Sequence, residues 1–213
     1  MGKTLEDKLS EGRQYRSIDL RAQAFGWTDT DEMIVEGYAT TFDDPYRLYG
    51  DEDYEINEQV DRHAFDGADV SDVIAQYNHQ GHVFARTGNG TLMLTADDHG
   101  LHVRMNLAGT ELGRQLYEEI KGGYTTKMSF GFTVKTDERL VTEEHGKTVV
   151  LRTIKEIGKL YDVSAVSLPA NDATSISARS YGEGVIAELA EEHRKAQERA
   201  RQIQRIKILT EVI

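Results

Sequence analysis

The stretch best suited to covalent chemistry is "TKMSFGF", residues 126–132, in which one hydroxyl residue stands among a methionine, two phenylalanines and a glycine. As a strand it turns Met128, Phe130, Phe132 and Val134 to one face and Ser129, Gly131 and Thr133 to the other. A serine oxygen attacks a carbonyl carbon only when a positioned base takes its proton, so Ser129 needs an imidazole beside it and a group that orients the imidazole. The GxSxG elbow is excluded, because no glycine precedes the serine and the strand pattern runs through it. On its own the segment reads most simply as a half-buried strand with a serine on its polar face.

Seven histidines could supply the base. His79 closes the run "VIAQYNH", where Val73, Ala75 and Tyr77 share its face, so the run can deliver a ring to the end of a sheet. His82 follows in a glycine-containing turn, His99 and His102 flank a turn and a strand start, and His63, His145 and His193 lie in polar or helical surroundings. The pairs His79/His82 and His99/His102 each have HxxH spacing, which zinc, copper or nickel could use. Neither pair falls on a convincing helix and HExxH is absent, so no metal and no other cofactor is expected. For the orienting acid, alternation in "KLYDVSAVSLPAND" places Asp162 on the face of Ser164 and Val166. A carboxylate inside an apolar strand is costly unless it accepts hydrogen bonds. Glu156 in "TIKEIGK" is the alternative acid and has the look of a solvent-facing charge.

The elements that must position these residues are mostly short strands. From Met33 onward, β-branched and alternating runs ("MIVEGYATTF", "TLMLTA", "LHVRMNL", "TVVLRTIKEI") are parted by Gly, Asp and Asn turns, which favours an antiparallel sheet or barrel. One helix interrupts them, "ELGRQLYEEIK", with Thr110 as its cap, Leu112, Leu116 and Glu119 or Ile120 recurring at helical spacing, and Gly122-Gly123 at its end. The fold class is therefore α+β rather than alternating parallel α/β. Three segments are expected: an N-terminal arm over residues 1–32, peripheral to the core; a domain over 33–180; and a helical tail over 181–213. In the tail Ile186, Leu189, Ala196, Ala200, Ile203, Ile206, Leu209 and Ile213 form an apolar stripe that can pack on the domain or on a partner, and Gly182 and Gly184 would let it swing.

Composition narrows the function classes. With 25 basic and 37 acidic residues the net charge is −12, so nucleic acid and anionic membranes are poor partners for the surface as a whole. Cysteine is absent, which removes disulfides, thiol proteases and cysteine-based zinc sites and leaves serine, carboxylate or histidine chemistry. There is no apolar run long enough to span a membrane and no signal-peptide pattern, so a soluble intracellular protein is expected.

Taken in order, "EGYATTF", "DRHAFDGA", "QYNHQ", "DDHGLHVRMNLAGTELGRQLYEEIKGGYTTKMSFGF" and "KLYDVSAVSLPANDATSISA" resemble the prohead protease family of HK97-type tailed phages, from about Gly37 to Ala178. The resemblance implies a fold related to the herpesvirus assemblins, with a mainly antiparallel β-barrel core and surrounding helices. It implies a serine endopeptidase that cleaves scaffold segments of the major capsid protein, and often itself, inside the immature head in the host cytoplasm. By the same resemblance the base is His79, the nucleophile Ser129 and the acid Asp162, where the family usually carries glutamate; Asp162 is one methylene shorter. The oxyanion donors are not legible: backbone amides near Gly131 or in "ARTGNG", or Arg86, are the candidates. Dimerisation is left open. Two rivals stand beside this reading, a non-catalytic capsid-assembly module in which Ser129 is inert and a metal-dependent hydrolase built on the two HxxH pairs.

Overall fold

The computed structural model describes residues 5–19, 26–27, 33–167 and 172–211. A short helix α1 (Leu5–Ser10) precedes β1 (Gln14–Asp19), β2 (Gly26–Trp27), β3 (Ile34–Thr41), β4 (Tyr46–Gly50), β5 (Tyr54–Val60), β6 (Ile74–Tyr77), β7 (Gln80–Arg86), β8 (Leu92–Ala96) and β9 (Gly100–Asn106). Helix α2 (Glu111–Lys121) leads into β10 (Lys127–Glu144) and β11 (Lys147–Val166), a long hairpin, and α3 (Asp172–Glu211) follows. The fold is α+β, as the sequence pattern suggests.

The strands form two sheets. The larger runs β1-β10-β11-β5-β4, with β6 added to β11 and β7 to β6; the smaller runs β2-β3-β9-β8. Pairing is antiparallel except where β11 takes β5 beside its first half and β6 beside its second, both parallel. Among the described residues hydrogen bonding closes neither sheet, so the expected barrel appears as two separate sheets. They share one core: Val35 and Ala39 of β3 and Val103 and Met105 of β9 cluster with Met128, Phe130 and Phe132 of β10 and Ile154, Leu160 and Val163 of β11. Burying a side chain of this size contributes about 1.5–3 kcal/mol, and this shared cluster is what fixes the β10–β11 hairpin in place. Leu116, Tyr117 and Ile120 bury one face of α2 against it, and the Thr110 hydroxyl accepts from the Gly113 amide at the helix start. Leu112, expected on that face, is instead 43% exposed.

Two expectations need correction. The N-terminal arm is not peripheral over Gln14–Asp19: β1 pairs residue by residue with β10, from Gln14 opposite Phe132 to Asp19 opposite Lys127, and Tyr15 and Arg16 are buried. The charge that made this segment look solvated is neutralised inside, where the Arg16 guanidinium grips both carboxylate oxygens of Glu58. Nor does Gly182 act as a hinge, since α3 is continuous from Asp172. The face of Gly182 lies against the Tyr49 ring so closely that any Cβ would overlap it. Val185 is buried there with Ile56 and Val150, and Ile186 and Leu189 pack alongside. The expected tail boundary at residue 181 therefore falls inside a helix whose first turns are docked. From Glu192 to Gln204 every side chain is exposed, Ala196, Ala200 and Ile203 included. The side chains of Ile206, Leu209 and Ile213 lie outside the described residues. No helix is long and apolar enough to cross a membrane among the described residues.

Candidate active site

Register brings the chemistry together. In the β10–β11 hairpin Ser129 lies opposite Ser164 and Gly131 opposite Asp162, while Phe130 pairs with Val163 and Phe132 with Leu160. Tyr161 is thus an extra residue on β11, a bulge that changes the strand's parity. Leu160 and Val163 can both enter the apolar core with the phenylalanines, while Asp162 turns to the face of Ser129, Gly131 and Ser164. A strict alternation could not satisfy both demands.

The imidazole comes from the other side of β11. Strand β6 runs parallel to it, with Asp162 beside Ile74 and Ala165 beside Tyr77, and the chain then reverses into β7 through Asn78 and His79. Both turn residues are left-handed, with φ of 49° and 59°, a conformation that costs roughly 1–2 kcal/mol for a residue other than glycine and persists only where surroundings impose it. Three contacts do so. The Asn78 amide donates to the Ala165 carbonyl (2.9 Å), the Ser167 amide donates to Asn78 Oδ1 (3.2 Å), and Lys8 Nζ of α1 donates to the His79 carbonyl (2.9 Å).

The result is a continuous hydrogen-bonded chain. His79 Nε2 lies 2.7 Å from Ser129 Oγ, and His79 Nδ1 is hydrogen-bonded to Asp162 Oδ1. Asp162 Oδ1 also accepts from Ser164 Oγ at 2.8 Å. Exposure of Ser129, His79 and Asp162 is 0%, 0% and 1%, so the charge at Asp162 acts with little screening from water. The ring of Tyr15 meets that of His79 edge-on, 4.5 Å between centroids. Burial, with the Asp162 charge adding to it, pushes the Tyr15 phenol up to about 12, which keeps it neutral. Burial lowers the Lys8 ammonium, and the attraction of Asp162 works against that shift.

Of the residues the sequence offers, His79, Ser129 and Asp162 are brought together and the others are not. Glu156 pairs with Lys135 on the surface. Arg86 is held by both oxygens of Asp72, 2.6 Å each, and is half exposed. His99 and His102 stand around Tyr38, His63 pairs with Asp66, and His82 lies exposed on β7. The two HxxH pairs do not converge, and among the described residues no group of three or more acidic or histidine side chains could hold a metal. Sequence reasoning missed Tyr15 and Lys8, whose segment reads as a charged arm. It also passed over the Ser164 hydroxyl, for which the only signal was its place on the face of Asp162.

Residues 16–186 match a family model described as Caudovirus prohead serine protease. No curated protein and no solved structure matches the chain.

Proposed function

The chain belongs to the caudovirus prohead serine proteases, and from that premise we propose that His79, Ser129 and Asp162 are its catalytic residues in the hydrolysis of capsid-protein scaffold segments. The observation that carries this reading is the single line of hydrogen bonds from Ser129 Oγ through both ring nitrogens of His79 to Asp162.

In the proposed reaction His79 Nε2 takes the Ser129 proton as Oγ bonds to the peptide carbonyl carbon. The tetrahedral adduct collapses, and the same proton passes from His79 to the departing amine, leaving an acyl-enzyme. Water then repeats the sequence with His79 again as base, releasing the acid and restoring Ser129. Asp162 accepts from Nδ1 throughout, which fixes the tautomer and offsets the charge the ring gains. Because the three side chains are buried, cleavage requires a local opening at Ser129 before a peptide can enter. The substrate acts as an extended chain, read by pockets along a strand edge. The family implies that the protein works inside the prohead in the host cell and meets capsid proteins there. We assign the docking role to the exposed part of α3, packing on helices of the scaffold, and assign to the enzyme its own removal of that tail.

The test is co-expression with the cognate capsid protein. Ser129→Ala and His79→Ala each leave capsid subunits unprocessed, a fall of roughly 10⁶-fold in kcat, and Asp162→Asn costs less, roughly 10⁴-fold. Wild-type processing by either of the first two would sink the reading.

A further inference from the structure

We infer that Ser164 is a positioning residue for this site, setting the rotation of the Asp162 carboxylate and through it the aim of His79. The inference rests on the protease reading above.

Asp162 uses its two oxygens unequally. Oδ1 takes both donors, His79 Nδ1 and Ser164 Oγ, the latter at 2.8 Å. Oδ2 is buried and has no hydrogen-bond partner among the described residues. One bond from the imidazole leaves the carboxylate free to turn about its own axis and exchange its oxygens, and each turn carries the ring with it. A second donor, fixed two residues along the same strand, removes that freedom. It also takes part of the charge on Oδ1, so that the bond to Nδ1 is shared between two donors rather than concentrated on one.

Packing alone would account for a small residue at this position, because Ser164 lies directly opposite Ser129 in the hairpin. It would not account for the hydroxyl. Ser164 is 1% exposed, and a buried hydroxyl that merely fills space costs desolvation that an alanine would avoid; a hydrogen bond to a charged acceptor offsets that cost. The bond is also placed where a short acid needs it. Aspartate is the shorter of the two acidic side chains, so it reaches the ring from a backbone that sits close, and its direction is decided by what else holds the carboxylate.

The experiment uses the full chain with Ser164→Ala and Ser164→Thr. The first readout is the strongly deshielded proton resonance of His79 Nδ1–H, which needs no substrate; the second is capsid-protein processing, with kcat and KM separated. Ser164→Ala is expected to shift or broaden the resonance and to lower kcat about tenfold with KM unchanged, and Ser164→Thr, which keeps the hydroxyl, to restore both. An unchanged resonance in Ser164→Ala overturns the inference whatever the rate. If the threonine variant fails to fold, the resonance of the alanine variant decides alone. A wild-type protein that shows the resonance but does not cut capsid protein would instead refute the protease reading, leaving the role of Ser164 to be judged by the resonance.

Discussion

Gly131 shows how little room the site has. A Cβ placed there would lie 2.6 Å from Asp162 Oδ2 and 2.7 Å from the Tyr15 ring, both well inside contact. Neither neighbour is free to retreat: Tyr15 is wedged against His79, and Asp162 is tied to the imidazole and to Ser164. A short acid suffices because β6 runs directly beside β11 and brings the imidazole within hydrogen-bonding reach of Asp162 Oδ1. Gly131→Ala is therefore expected to displace the carboxylate and to reduce capsid processing at least as far as Asp162→Asn. It should also cost about 1–3 kcal/mol of stability by overpacking. Processing assays beside denaturant melts measure both, and wild-type processing in this variant would mean that Asp162 has slack the geometry does not show.

At the scale of elements, the convergence of the candidate residues was legible where it depends on residue type and strand parity. Ser129 alternates with Met128 and Phe130 in "TKMSFGF", and a lone carboxylate in "KLYDVSAVS" has few cheap explanations. What could not be read was anything set by pairing between distant segments. The Tyr161 bulge exists only because β11 must follow β10, and the left-handed Asn78–His79 turn is held by Ser167 and Lys8, 89 and 71 residues away in sequence. The strand β1 was hidden because Arg16 finds its counter-charge on β5. The tail was misjudged in the same way: Gly182 looks like a joint until the Tyr49 ring is seen against it. That contact changes where the tail can be cut. A deletion beginning at residue 183 would strip Val185 and Leu189 from the small core around Ile56 and Val150, confusing docking with folding. Deleting residues 192–213 removes only the part of α3 beyond this contact, and is expected to leave the unfolding midpoint and purified-capsid cleavage intact while abolishing incorporation into proheads. Retained incorporation, read by protease content of isolated proheads, would refute the docking role.

For the whole molecule the decisive contact is the buried charge cluster that joins the strands flanking the site to the helix behind them. Glu58 of β5, fully buried, accepts from Arg16 of β1, from Arg152 of β11 at 2.7 Å and from the Tyr46 hydroxyl of β4 at 2.5 Å. Arg152 reaches Asp137 of β10, and Tyr181 of α3 lies 4.0 Å above its guanidinium. Burial alone would raise the Glu58 carboxyl; Arg16, by charge and by hydrogen bond, and then Arg152 outweigh it and hold the group below its ordinary value of 4.5. A carboxyl with a lower pKa folded than unfolded stabilises the fold above the unfolded value, and that contribution is lost as pH falls through the folded value. Acid should therefore loosen β1 and the site it covers before the apolar core gives way. Glu58→Gln removes the buried carboxylate that Arg16 and Arg152 share, while Arg152 keeps Asp137, and is expected to cost about 3–5 kcal/mol near neutral pH. The difference from wild type should narrow below pH 4.5, because there the wild type begins to lose the same interaction. Denaturant unfolding of both proteins at pH 7 and again in moderate acid measures the gap. A gap that stays constant across that range would show that the carboxyl is not held down and that the cluster does not couple the fold to pH.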